Sequence, residues 1–203
     1  MVSLIPKFQN VEQKFIQMKK KVAVHLAEGF EEIEAISIID VLRRADLDVA
    51  VVSVTGKAEV TGAHQISVLA DTLFENVDYN QVYMIVLPGG MPGASNLNAH
   101  VGLRQQILKF VDENKPLAAI CAAPLVFGNL GILKGKQAVC YPGFESYLKG
   151  ADVLQVPVLE SGNIITGRGP GVAIQFSLKI VEKAVSVEKA EKLAQQMIVS
   201  SIQ

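Results

Sequence analysis

Tryptophan is absent from the 203 residues, cysteine occurs twice and histidine three times. Two cysteines cannot build a disulfide framework in a chain of this length. Cys121 and Cys140 also stand too far apart for a zinc or thioredoxin-like motif, so a reducing compartment is expected. None of His25, His64 and His100 makes a metal-ligand spacing with another histidine or with a cysteine, and no metal site is expected. An excess of one charge is lacking too. Nineteen basic residues against twenty acidic ones leave a formal net charge of -1, which argues against a nucleic-acid partner. Nor is there a long unbroken apolar run. Residues 117–133 come nearest, but Pro124, Gly128, Asn129 and Gly131 interrupt them, so the stretch reads as buried core and no membrane association is expected. No positive segment followed by an apolar run opens the chain, and a cytoplasmic protein is the simplest expectation.

What is present is material for one core, with 50% of the residues hydrophobic. Residues 1–20 show no sustained period and read as an N-terminal extension, a leader or an alternative start, leaving 21–203 as a single domain. From Lys21 onward, short runs rich in Val and Ile alternate with helical patterns. Strands are predicted at 22–26, 49–54, 83–87, 117–120, 138–141, 153–158 and 163–166. Helices are predicted at 30–45, 103–113, 173–185 and 189–200. This β-α-β rhythm predicts a three-layer α/β/α sandwich with a mostly parallel sheet. In such sheets ligands bind beyond the carboxyl ends of the strands. Attention therefore falls on Glu28-Gly29-Phe30, Pro88-Gly89-Gly90, Cys121-Ala122-Ala123, Tyr141-Pro142-Gly143 and residues 167–171. The glycines of the last segment miss the dinucleotide fingerprint and Pro170 removes an amide donor, so no cofactor is expected.

Cys121 follows an apolar run and precedes a predicted helix, with Ala119 and Ala123 two residues to either side. That is the spacing of a strand-to-helix elbow, where small flanking residues let the backbone turn sharply. A thiol there would face a helix N-terminus, which favours the nucleophilic thiolate; the other reading is a small core residue. Glu34 shares a helical stripe with Phe30, Ile38, Val41 and Ala45, so its carboxyl points toward apolar neighbours. Burial there would raise its pKa and let it donate to a nearby thiolate. The alternative is a first-turn glutamate reaching water, the role expected of Glu31 and Glu32. The amides of Gly90 and Ala122 would make an oxyanion hole, or Pro88-Gly89-Gly90 is a plain turn. A Cys-His dyad would have to recruit His64 or His100 across the fold.

Taken together, Glu31-Glu32-Ile33-Glu34, Leu87-Pro88-Gly89-Gly90, Ala119-Ile120-Cys121-Ala122-Ala123-Pro124 and Arg168-Gly169-Pro170-Gly171 resemble the ThiJ/PfpI family. The pattern is similar to the branch holding the Parkinson's-disease-associated protein deglycase. The resemblance implies a flavodoxin-like fold and a homodimer that pairs through the first helix. It implies that Cys121 is the reactive nucleophile, Glu34 the protonated glutamate beside it and Gly90 the loop glycine whose amide meets the sulfur. Two departures stand out. Ala122 occupies the place where peptidase-like relatives carry histidine, so an intracellular cysteine peptidase is the weaker reading. Tyr141 stands before Pro142 where some deglycase and glyoxalase relatives carry histidine, and a phenol is the poorer proton shuttle at neutral pH. His64 and Arg168 are further pocket candidates.

The expected activity is cofactor-independent glyoxalase or deglycase chemistry on a small dicarbonyl such as methylglyoxal, or on a glycated protein. The alternative is an oxidative-stress sensor or chaperone that works by oxidation of Cys121. The apolar band Ile33, Ala35, Ile36, Ile38, Ile39, Val41 and Leu42 is wide enough for one helix to satisfy both the sheet and a partner copy.

Overall fold

The computed structural model describes residues 19–199, so the segment read as an N-terminal extension lies almost wholly outside the described residues. The chain opens with β1 (Lys21–Leu26), α1 (Glu32–Arg44) and β2 (Asp48–Ser53), followed by the hairpin β3 (Glu59–Thr61) and β4 (Ser67–Leu69) and the short β5 (Thr72–Leu73). Next come β6 (Val82–Leu87), α2 (Gly93–Ala99), α3 (Val101–Asp112), β7 (Leu117–Ile120) and α4 (Pro124–Asn129). The last third holds β8 (Gln137–Ala138), β9 (Asp152–Val153), β10 (Val158–Ser161), β11 (Ile164–Gly167), α5 (Ala173–Ala184) and α6 (Val187–Gln196).

Seven strands form the central sheet in the order β10-β11-β7-β6-β1-β2-β5. All its pairings are parallel except that of β10 with β11. The chain steps from β1 to β2 in one direction across the sheet and from β6 to β7 in the other. Right-handed crossovers therefore place α1 on one face and α2 with α3 on the opposite face. Helix α1 packs against α5, and α2 against α4. The strand order reverses between β1 and β6, which opens a crevice at their carboxyl ends. The strands are almost continuous apolar runs because both faces of the sheet are covered; β7 is buried at every residue.

The sheet differs from the sequence expectation at its edges. Residues 139–141 do not form a strand: β8 stops at Ala138 and pairs with β9 away from the central sheet. The segment is held by single hydrogen bonds, from the Val139 amide to Thr166 Oγ1 and from the Tyr141 amide to the carbonyl of Cys121. The apolar run 153–158 divides between β9 and β10, with Pro157 in the break. The β3–β4 hairpin, β5 and α2 carry too short a periodicity to be read in advance. Helix α6 ends at Gln196 rather than reaching residue 200.

One ionisable side chain sits deep in the sheet layer. His25 of β1 is fully buried, and its Nε2 lies 2.7 Å from the hydroxyl of Tyr79. Burial lowers its pKa to about 3 from an ordinary 6.5. The unfolded chain binds this proton below pH 6.5, whereas the folded chain holds it off until about pH 3. Stability contributed by neutral His25 is thus complete above pH 6.5 and falls as pH drops, by up to about 1.4 kcal/mol per pH unit. Urea unfolding followed between about pH 6 and pH 4 should show a slope of free energy against pH shallower by about one proton in His25→Gln than in wild type.

Candidate active site

The crevice at the strand-order reversal is built by three loops whose backbones are laced together. The Glu31 amide, just before α1, donates to the carbonyl of Gly89 after β6 at 2.9 Å, and the Gly93 amide donates to the carbonyl of Gly29 at 3.0 Å. This approach leaves no room for side chains. A Cβ on Gly90, whose φ is +90°, would fall 2.4 Å from the Glu31 nitrogen.

Cys121 lies immediately after β7 with φ +64°, the left-handed region that non-glycine residues avoid at a cost of about 1–3 kcal/mol. Three hydrogen bonds hold this turn: from the Cys121 amide to the Gly167 carbonyl (2.9 Å), from the Tyr141 amide to the Cys121 carbonyl (2.8 Å), and from the Ala123 amide to the Ile120 carbonyl (3.0 Å). Ala119 and Ala123 are fully buried, as the elbow requires. The helix that follows, α4, has only six residues, with Pro124 first.

Glu34 projects from the first turn of α1 and is fully buried. Its Oε2 accepts the Gly89 amide at 2.7 Å, whereas Oε1 has no hydrogen-bond partner among the described residues; the Cys121 thiol lies close enough to act on the carboxyl. Gly89 makes this meeting possible. A Cβ there would sit 2.7 Å from the Cys121 Cβ and 2.8 Å from Glu34 Oε2, wedged between the two side chains. The importance of Gly89, as distinct from Gly90, was not visible in the sequence beyond its place at a strand end.

Burial raises the Glu34 carboxyl to about 7; the Gly89 amide and the thiol pull it back, and the charge of Glu31 pushes it further up. Burial likewise pushes the Cys121 thiol up, and an ionised Glu34 adds to this; the amides of Gly90 and Ala122 act in the opposite direction. The expectation that a helix end favours the thiolate is therefore not met: burial and an ionised Glu34 outweigh the two amides and keep the thiol protonated. The two groups form one buried unit that sheds its first proton near neutrality and holds the second firmly. Amides at the sulfur draw the remaining proton toward Glu34, and the Gly89 amide draws it toward Cys121.

The other candidates fall in different places. The Tyr141 backbone braces the elbow, and its ring, largely exposed, lies over Gly169, where a Cβ would be 3.1 Å from it. Arg168 reaches the Gln155 carbonyl at 3.3 Å, and its charge acts on Cys140 rather than on Cys121. His64 is bound to Glu32: its amide and Nδ1 meet the two oxygens of that carboxylate at 2.5 and 2.8 Å. Glu31 and Glu32 do not reach freely to water as expected but are buried. Glu31 caps α1 by accepting the Glu34 amide at 2.7 Å, and Glu32 anchors the loop between β3 and β4. A cavity of about 810 Å³ lies at the other end of the sheet beside Lys21, Asp48 and Gln81 and is lined by no cysteine or histidine.

The profile described as DJ-1/PfpI family matches residues 20–183. The chain belongs to the DJ-1/PfpI family. Among curated relatives, Protein DJ-1 homolog B of Arabidopsis thaliana is 40% identical over 180 residues, which is 88% of this chain and 41% of that protein. The chain thus spans less than half the length of that DJ-1/PfpI relative. Protein dj-1beta of Drosophila melanogaster is 37% identical over 186 residues and is covered to 99%. A solved structure described as Toxoplasma gondii DJ-1, oxidized, superimposes with a TM-score of 0.86 at 38% identity, covering 90% of this chain and 100% of that one. The flavodoxin-like α/β sandwich of the DJ-1/PfpI family is therefore the fold of this chain, and no described helix is long and apolar enough to cross a membrane.

Burial raises Cys140 to about 11 with no carboxyl sharing its proton, although Glu145 adds to the rise. An ionised Glu34 holds the Cys121 thiol up, so Glu34→Gln should be labelled at Cys121 by iodoacetamide at about pH 8 at least about threefold faster than wild type, with the Cys140 rate unchanged. Peptide mass spectrometry of a labelling time course reads both rates, and a Cys121 rate unchanged in Glu34→Gln contradicts the coupled pair.

Proposed function

We propose that this protein is a cofactor-independent, cysteine-dependent enzyme of the glyoxalase or deglycase type, acting on methylglyoxal or its early adducts on protein amines. The observation that supports this most is the meeting of Cys121, on its left-handed elbow, with a buried Glu34 carboxyl whose second oxygen has no hydrogen-bond partner among the described residues. In the reaction the Cys121 sulfur bonds to the aldehyde carbon of the dicarbonyl, and the carbonyl oxygen takes up a proton to give a hemithioacetal. A proton then leaves the former aldehyde carbon and is returned to the neighbouring ketone carbon, with Glu34 as the relay, while the hemithioacetal hydroxyl gives up its proton and the former ketone oxygen takes one. The first carbon is oxidised and the second reduced, so the step needs no external oxidant. Water cleaves the resulting lactoyl thioester, which releases lactate and restores the thiol. The amides of Gly90 and Ala122 are the donors for the developing oxyanion, and the Tyr141 hydroxyl is a candidate donor at the rim.

Lactate formed from methylglyoxal, followed by an enzymatic lactate assay, should fall at least about 100-fold in Cys121→Ser. Unchanged lactate production in that variant overturns the reading.

A second reading, oxidation of Cys121 in a stress sensor or chaperone, is supported by the relative from Toxoplasma gondii described as oxidized. Peroxide would add two oxygens to the sulfur, each transfer reducing one peroxide to water. Mass spectrometry separates it from the first reading by showing that product on Cys121 without any lactate activity. A peptidase draws the least support, because His25 bonds Tyr79, His64 bonds Glu32 and His100 Nδ1 accepts the Leu103 amide.

The functional unit in this proposal is a homodimer. Ala35, Ile38, Ile39, Val41 and Leu42 of the apolar band are spent on the core of a single chain. Ile33, by contrast, is 59% exposed on α1, Ile36 is exposed beside it, and Leu69 on the β3–β4 hairpin is 74% exposed. Exposed large apolar side chains of this kind favour self-association. Sedimentation velocity at micromolar concentration should give a dimer that Ile36→Glu shifts toward monomer.

A further inference from the structure

The two glutamates that precede Glu34 take no part in the chemistry proposed above. Glu31 and Glu32 are 8% and 6% exposed, and neither is paired with a lysine or arginine among the described residues. Two adjacent buried carboxylates without a matching positive charge are costly. The counter-group the fold supplies is His64, whose Nδ1 lies 2.8 Å from Glu32 Oε2 and whose side chain is 70% exposed. One donor atom from each of Glu31, Glu32 and His64 lies within 4.8 Å of the other two. Glu31 uses Oε2 for the helix cap, while its Oε1 accepts no hydrogen bond from any described residue. A second acceptor is thus left open on a carboxylate more than nine-tenths buried.

We propose that Glu31, Glu32 and His64 bind a zinc ion at the start of α1. Two carboxylate oxygens and one imidazole nitrogen are donors that zinc takes at about 2.0–2.2 Å, with water completing a tetrahedral shell. Magnesium and calcium fill larger shells made of oxygen alone, and the imidazole turns the choice toward zinc. The two glutamates are held at the rigid first turn of a helix. His64 sits on the loop between β3 and β4, where its exposed ring has room to adjust. The ion replaces the proton between Glu32 and His64: the imidazole nitrogen gives up any proton it carries there to solvent and offers its lone pair to the metal. The divalent charge then balances both buried carboxylates. The sequence expectation of no metal site searched for histidine and cysteine spacings, whereas this cluster joins residues more than thirty positions apart across two elements.

Zinc chloride titrated calorimetrically into the untagged full chain carrying Cys121→Ser and Cys140→Ala, so that no thiol competes, should bind at one ion per chain. His64→Gln added to that chain should weaken binding at least tenfold, with an unchanged circular dichroism spectrum because the side chain replaced is exposed. Zinc K-edge absorption should report nitrogen and oxygen neighbours, with the imidazole signal lost in the His64→Gln chain. Magnesium chloride in place of zinc should give no saturable binding over the same range. Zinc affinity that is equal with and without His64, absence of stoichiometric zinc binding, or magnesium binding as tight as zinc overturns the proposal.

Discussion

The close approach of three strand ends over Gly89 is the constraint on which the rest of this structure depends. A side chain at that position would collide with both Cys121 and Glu34, so its absence allows a thiol and a carboxyl from distant parts of the chain to share one buried space. The Gly89 amide then holds one carboxyl oxygen, and the other has no hydrogen-bond partner among the described residues. The neighbouring Gly90, with its left-handed backbone, lets the loop after β6 fold directly against the start of α1. The parallel sheet enforces this approach, because β1, β6 and β7 are adjacent and all point their carboxyl ends into the same crevice.

Electrostatics at the site follow from burial rather than from any fixed positive charge. The groups acting on the thiol are one carboxyl and two backbone amides. Such a pair keeps its overall charge when the proton passes between its members, so that exchange brings no new charge into the low-dielectric interior. The strained backbone of Cys121 is offset by hydrogen bonds to strands and loops on both sides, which fix the sulfur over the crevice.

The first turn of α1 serves several ends at once. Three glutamates within four residues meet three different fates: Glu31 caps the helix, Glu32 ties down the β3–β4 loop, and Glu34 faces the thiol. Helical geometry separates them by roughly 100° per residue, so each points into a different environment. On the same helix, Ile33 and Ile36 remain on the outer face while Ile38, Val41 and Leu42 enter the core.

The linear order of residues determined the alternation of parallel strands with helices, the elbow around Cys121 and the inward stripe that carries Glu34. These depend on local periodicity and on small residues at fixed spacing, which a chain displays before it folds. Only the tertiary structure decided that Glu31 and Glu32 are buried, that His64 serves Glu32 rather than the thiol, and that Arg168 acts on Cys140. It also decided that residues 139–141 brace the elbow instead of forming a strand. The reason is physical. Burial, pairing and pKa are set by neighbours brought from thirty or more residues away, and such neighbours leave no trace in local periodicity.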